Sequence, residues 1–217
     1  MVPPSASSSP PRPFPETSRL EVLYSGNFGL PHDAETIAGA MSRLTDPARF
    51  RFVFAGGGSR RASLEDHCRA AGVRNASFLP YQHEARMADH LGNCHIGLVT
   101  QDARTCGALV PSKTYGLMAA GRPFLFVGPP DATPARIADR YRCGWHVPPG
   151  DVSSLTALLE RLAVNPDLLR EAGARARDAC LNFYHRDAGV SRILKILTAG
   201  CLPHAEAVPD NQHAVTV

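Results

Sequence analysis

Three glycine-bearing loops, with the basic residues beside them, hold the groups best suited to grip an anion. Ser25-Gly26-Asn27-Phe28-Gly29-Leu30 follows a short apolar run and soon leads into a helix-period segment. Glycine lets a backbone approach a ligand closely, and a helix start offers unpaired N–H groups carrying about half a positive charge. The segment is not a complete G-x-G-x-x-G, so the same residues also suit a plain tight turn. Gly56-Gly57-Gly58-Ser59-Arg60-Arg61 adds two guanidinium forks, either of which matches a diphosphate in charge and shape. The alternative for Arg60 and Arg61 is a solvated helix start. The third loop runs from Thr100 to Ser112 and ends in Pro111-Ser112-Lys113 at the mouth of a helix. Loops of this length inside a compact domain usually serve function. A lysine in a first helical turn opposes the helix dipole, and a bound anion would compensate that cost. Ser112 is placed both to cap the helix and to hydrogen-bond the same anion.

Positioning these loops requires a sheet, and the apolar pattern supplies one. Short apolar runs at Glu21–Tyr24, Arg51–Ala55, Ala76–Phe78, Ile96–Val99, Phe124–Val127 and Trp145–Val147 read as six strands. Between them lie helix-period segments near Asp33–Leu44, Ala62–Ala71, Glu84–Asn93, Lys113–Ala120, Thr133–Tyr141 and Val152–Ala163. This alternation predicts an α/β fold, a doubly wound parallel sheet with helices on both faces. Two more helices, Pro166–Leu181 and about Arg186–Leu197, follow the last strand. Asp33 suits a first-helix cap, Gly72 and Gly121 suit helix ends, and Pro134 suits a helix start. Ligands in open parallel sheets bind beyond the carboxyl ends of the strands, where all three loops fall.

The composition narrows the function classes. With 44% hydrophobic residues the chain can bury a globular core, which excludes collagen-like, disordered and coiled-coil classes. A formal charge of +3, with arginines spread along the chain, argues against a nucleic-acid binder. No apolar run approaches the roughly 20 residues of a membrane-spanning helix, and the opening MVPPSASSSPPRPFP lacks a signal peptide's pattern, so the chain is expected in the cytoplasm. Residues 1–18 read as a disordered leader or linker remnant, 19–200 as the folded domain and 201–217 as a loose tail. The cysteines are widely spaced, with no metal-ligand pattern, and are expected to be reduced and mostly buried. Of the scattered histidines, His32 is the one to test, because it follows the first loop. Trp145, Met41, Met87 and Met118 read as core.

The run V-P-S-K-T-Y-G-L-M-A-A-G-R-P from Val110 to Pro123 resembles the nucleotide-sugar-binding segment of group 1, or family four, retaining glycosyltransferases. Three further stretches fall where that family places its motifs. These are Tyr24-Ser25-Gly26-Asn27 with His32 and Glu35, Phe78-Leu79-Pro80-Tyr81-Gln82, and Gly144 through Gly150-Asp151. The likeness is strongest to members that build bacterial exopolysaccharide and O-antigen chains. It implies a Rossmann-like domain forming one half of the GT-B architecture, with a nucleoside-diphosphate sugar as donor and an acceptor hydroxyl as target.

By this resemblance Gly26, Asn27, Phe28 and Gly29 face the diphosphate, while Lys113 with Arg60 or Arg61 neutralises it as it leaves. Gly107 faces the donor sugar, and Ser112, Tyr115 and Gly116 belong to the same nucleotide-sugar segment. Cations and helix termini meet the leaving-group charge, so neither a metal nor a cofactor is expected. Two glutamates common in the family are replaced here by Ala108 and Gly116, which leaves Lys113 and Tyr115 to take over ribose recognition. The resemblance also implies an acceptor-binding N-terminal half on another chain, with any membrane contact peripheral or made through that partner. Two other readings are a non-catalytic remnant of the same fold and a sugar-nucleotide epimerase; the loops lack an acid–base pair for the latter.

Overall fold

The structure is a computed structural model that describes residues 12–199. Six strands form one sheet: β1 Leu20–Ser25, β2 Phe50–Ala55, β3 Ala76–Leu79, β4 Ile96–Thr100, β5 Phe124–Val127 and β6 Gly144–Val147. Each pairs in parallel with its neighbours, in the order β3-β2-β1-β4-β5-β6. The strands are short apolar runs because both faces of the sheet are covered, as parallel sheets require. Side chains alternate between two cores. Val22, Tyr24, Phe52 and Phe54 join Leu125 and Val127 on one face, while Leu23, Val99, Phe124 and Phe126 lie on the other.

Among the described residues seven helices pack around the sheet, α1 Glu35–Arg43, α2 Arg61–Ala70, α3 Met87–Gly92, α4 Lys113–Ala119, α5 Thr133–Tyr141, α6 Val152–Ala163 and α7 Pro166–Ala179, and an eighth, α8 Arg186–Ala199, follows as an exposed arm. Helix α1 presents Ile37, Ala40 and Met41 to the first core, alongside Leu155, Leu159 and Leu162 of α6. Leu117 and Met118 of α4 join Ile137 of α5 and Ala176 of α7 in the second core. As expected, the Asp33 carboxylate caps α1, accepting the Thr36 N–H at 2.9 Å and the Thr36 hydroxyl at 2.8 Å. At the end of α5 the chain turns left-handed without a glycine, at Arg142 with φ 49°.

The structure departs from the sequence reading in three places. The segment expected as one helix over Glu84–Asn93 is a 3-10 turn, Glu84–Arg86, followed by the short α3. Helix α7 ends before Leu181 and passes into a π-helical turn at Cys180–Tyr184. The leader, expected to be loose through Ser18, is held against the body at residues 12–15. Arg122 is 1% exposed and must find acceptors, and Nη2 donates to the carbonyls of Pro13 at 2.7 Å, Arg12 at 3.1 Å and Gly92 at 2.6 Å. Phe14 lies under that guanidinium, and the Pro15 carbonyl meets His95 Nε2 at 3.0 Å. These contacts lie beneath the amino ends of β4 and β5. The tail assigned to 201–217 lies outside the described residues, as does Cys201. The remaining cysteines are free, all buried except the half-buried Cys106.

Candidate functional site

The strand order reverses between β1 and β4, which opens a crevice at the carboxyl ends of these two strands. The β1 and β2 loops meet on one side of it. Gly26 N–H donates to the Ala55 carbonyl at 2.8 Å, Phe28 N–H to Gly57 at 2.6 Å and Arg60 N–H to Phe28 at 3.0 Å. Gly26 and Gly56 both sit at φ 129°, and a Cβ on Gly56 would run into the Gly26 carbonyl. Two glycine loops are therefore laid directly on one another, and glycine alone permits that approach. On the other side Gln101, 1% exposed, donates through Nε2 to the carbonyls of Thr105 at 3.0 Å and Leu109 at 2.9 Å, which shapes the β4 loop. The Asp102 N–H crosses to the Pro31 carbonyl at 2.7 Å, tying that loop to the first.

Lys113, at the start of α4, reaches over the crevice. Its ammonium lies 4.9 Å from the centre of the Tyr24 ring, and a Cβ built on Gly26 would be 2.7 Å from its Cε. No hydrogen bond or ion pair holds this ammonium among the described residues, and burial lowers its pKa from 10.5 to about 8. Arg60 stands close enough to act electrostatically on both His32 and Asp102, and its buried Nε has no partner among the described residues. Asp102 does not neutralise this pair: Arg104 grips it at 2.7 and 3.0 Å and, with its backbone N–H, pulls it down to about 2. The rim thus holds two cations with unused hydrogen-bonding capacity. The N–H groups of Asn27 and Gly29 likewise make no hydrogen bond among the described residues.

Other expected residues are placed differently. Arg61 is committed elsewhere, with Nε on Glu65 at 2.6 Å and Nη1 on the carbonyls of Leu79, at 2.8 Å, and Gly56. It braces the glycine loop from behind. Phe28 is 2% exposed, its ring packed among Tyr24, His32 and Phe54 and its N–H already bonded, so it offers a ligand nothing directly. Ser112 is exposed and makes no side-chain cap on α4. Tyr115 turns toward the π-helical turn, its ring 5.4 Å from that of Tyr184, away from Lys113. Gly116 faces Leu91 of α3. Gly107 is exposed at φ 85° with open space around it, at the tip of the β4 loop. The expected start of α1 is closed to an anion by the Asp33 carboxylate that caps it. Met87, expected in the core, is half-buried at the rim beside Ser25.

Sequence reasoning missed Gln101, which holds the β4 loop. Its only signal was a polar residue directly after an apolar strand. It also left His32 without a role. His32, 7% exposed, places Nδ1 2.8 Å from the Thr100 carbonyl and Nε2 3.2 Å from the Tyr24 hydroxyl, which donates to the Asn27 carbonyl at 2.6 Å. Burial first, then Lys113, drives the imidazole down to about 4. Among the described residues no group of His, Cys, Asp and Glu side chains is arranged to hold a metal ion, and no helix is long and apolar enough to cross a membrane.

The strand order and the crevice define a Rossmann-like α/β domain of the kind that forms one half of the GT-B architecture. Residues 19–165 match the family model described as "Glycosyl transferases group 1", and the chain belongs to that family. It is 33% identical over 144 residues to the probable glycosyltransferase WbjE of Pseudomonas aeruginosa, covering 64% of this chain and 34% of that protein. It is 36% identical over 111 residues to the putative colanic acid biosynthesis glycosyl transferase WcaI of Escherichia coli K12, covering 50% and 26%. The fold superposes on sucrose-phosphate synthase of Thermosynechococcus elongatus with TM-score 0.70 at 18% identity, covering 84% of this chain and 46% of that one. It superposes on Anabaena HepE, solved with UDP-glucose, with TM-score 0.68 at 13% identity, covering 83% and 49%. The chain thus spans about a third or less of the curated relatives and about half of these solved chains.

Proposed function

We propose that this chain is the donor-binding half of a retaining glycosyltransferase that takes a sugar from a nucleoside diphosphate and passes it to an acceptor hydroxyl in bacterial surface-polysaccharide synthesis. One observation carries the reading: Lys113 holds a partly buried ammonium, without a hydrogen-bond acceptor among the described residues, directly over the Gly26 backbone at the topological switch. Keeping a cation there is unfavourable unless an anion sits beside it. We assign Arg60, whose buried Nε has no partner among the described residues, to share that anion, while Arg61 braces the loop. As the sugar leaves, charge builds on the diphosphate, and these fixed cations stabilise it more than they stabilise the bound donor. The likeness to the glycosyltransferases WbjE and WcaI, and the UDP-glucose held by HepE, support a nucleotide-sugar donor.

Titration calorimetry against UDP, GDP and their hexose conjugates tests the reading. Binding of at least one, lost in Lys113→Ala, is the expected result; no binding to any at millimolar concentration overturns it. The acceptor site we assign to an N-terminal GT-B half supplied by another chain, which would also make any membrane contact. A sugar-transfer assay with and without such a partner should show turnover only in its presence.

A further inference from the structure

Beneath the glycine loop lies a chain of hydrogen bonds that is one proton short. It runs from the Thr100 carbonyl through His32 Nδ1, His32 Nε2 and the Tyr24 hydroxyl to the Asn27 carbonyl. Thr100 offers only an acceptor, so Nδ1 carries the proton of neutral His32. The 2.6 Å bond from Tyr24 uses the phenol's single proton on Asn27. Neutral Nε2 then faces the Tyr24 oxygen at 3.2 Å with no proton between them. An imidazolium would complete the chain, with Nε2–H donating to the phenol oxygen. Two cations oppose it: Lys113, poised over the same Tyr24 ring, and Arg60.

We propose that His32 is a positioning residue that takes up a proton when a diphosphate settles on Lys113 and Arg60, so that donor binding completes the hydrogen-bond chain and stiffens the Asn27 turn that faces the donor. The proposal deepens the donor-binding reading and rests on it. The charged and titratable groups around His32 fit the linkage. Tyr24 is held neutral by burial, which pushes its phenol upward. Asp33, the next residue in the chain, has its carboxylate spent on Thr36, and Asp102 is gripped by Arg104. Lys113 and Arg60 remain as the charges a ligand can cancel. The present low position of the His32 imidazole, set by burial and these two cations, leaves room for a rise on binding.

Imidazole nitrogen NMR of the full chain, with His32 assigned by His32→Asn, reads the proton directly. UDP-glucose is the probe, because its diester diphosphate does not itself titrate between pH 5 and 8. His32 should titrate below pH 5 in the free chain and rise by at least one pH unit in Lys113→Gln, which removes the cation without any ligand. With UDP-glucose bound, Nε2 should carry a proton near pH 6. Affinity should then increase about fourfold from pH 7.5 to 5.5 in the parent chain, if the bound midpoint lies at about 6, and stay flat in His32→Asn. Unchanged His32 midpoints in both Lys113→Gln and the complex overturn the proposal while leaving donor binding intact. A shifted midpoint in Lys113→Gln, with no binding of UDP-glucose or any other nucleotide sugar, instead sinks the donor reading and keeps the Lys113–His32 coupling.

Discussion

On the proposed reading, Lys113 sets function against stability. Its folded-state pKa of about 8 lies below the ordinary lysine value of 10.5, so the unfolded chain holds that proton more tightly. The cost is therefore present below pH 8 and fades as pH rises toward 10.5. Lys113→Met should raise the stability of the ligand-free chain by on the order of 1–3 kcal/mol at pH 7 while abolishing nucleotide binding, checked by urea denaturation beside calorimetry. His32 is likewise depressed, from 6.5 to about 4, and here the sign favours the fold at neutral pH. Stability is full above pH 6.5 and drains as pH falls toward 4, by about 3 kcal/mol. A denaturation series across that window should show the loss, and His32→Asn should flatten it. Gly56→Ala meets both a positive φ and the Gly26 carbonyl, so a loss of about 3 kcal/mol or more is expected in thermal unfolding. Because the two loops share that seam, pairs of substitutions at 26 and 56 should not rescue one another in a variant library.

The strands and most helices were legible as elements because their apolar periods match their burial: β5 and α5 begin and end where the pattern does. Positions set by long-range contact were not legible. Nothing local marks Arg61 for the carbonyl of Leu79, or Tyr115 for Tyr184, since each partner arrives from a distant part of the chain. The anchoring of residues 12–15 of the leader is hidden for the same reason. Its proline-rich composition signals disorder, yet Arg122, far along the sequence, needs its carbonyls. Replacing Arg122 with Met leaves the Gly92, Arg12 and Pro13 carbonyls without their donor. The expected cost is about 3 kcal/mol, with residues 12–15 becoming accessible to protease and their amides exchanging faster.

At the scale of the molecule, the sheet presents one chemically equipped rim, while α8 is left with apolar side chains in water. Val190, Ile193, Leu194, Ile196 and Leu197 are 46% to 72% exposed, more than ordinary scatter of surface apolar residues. The chain should bind a hydrophobic dye in its native state, and Ile193→Glu with Ile196→Glu should reduce that signal without altering nucleotide affinity. The clasp around Arg122 has its own geometric outcome. Because it lies at the amino ends of β4 and β5, residue 12 leaves the domain behind the sheet, on the side facing away from Lys113. A biosensor surface attached through that end would leave the proposed nucleotide crevice pointing into the flow, open to large ligands as readily as to small ones.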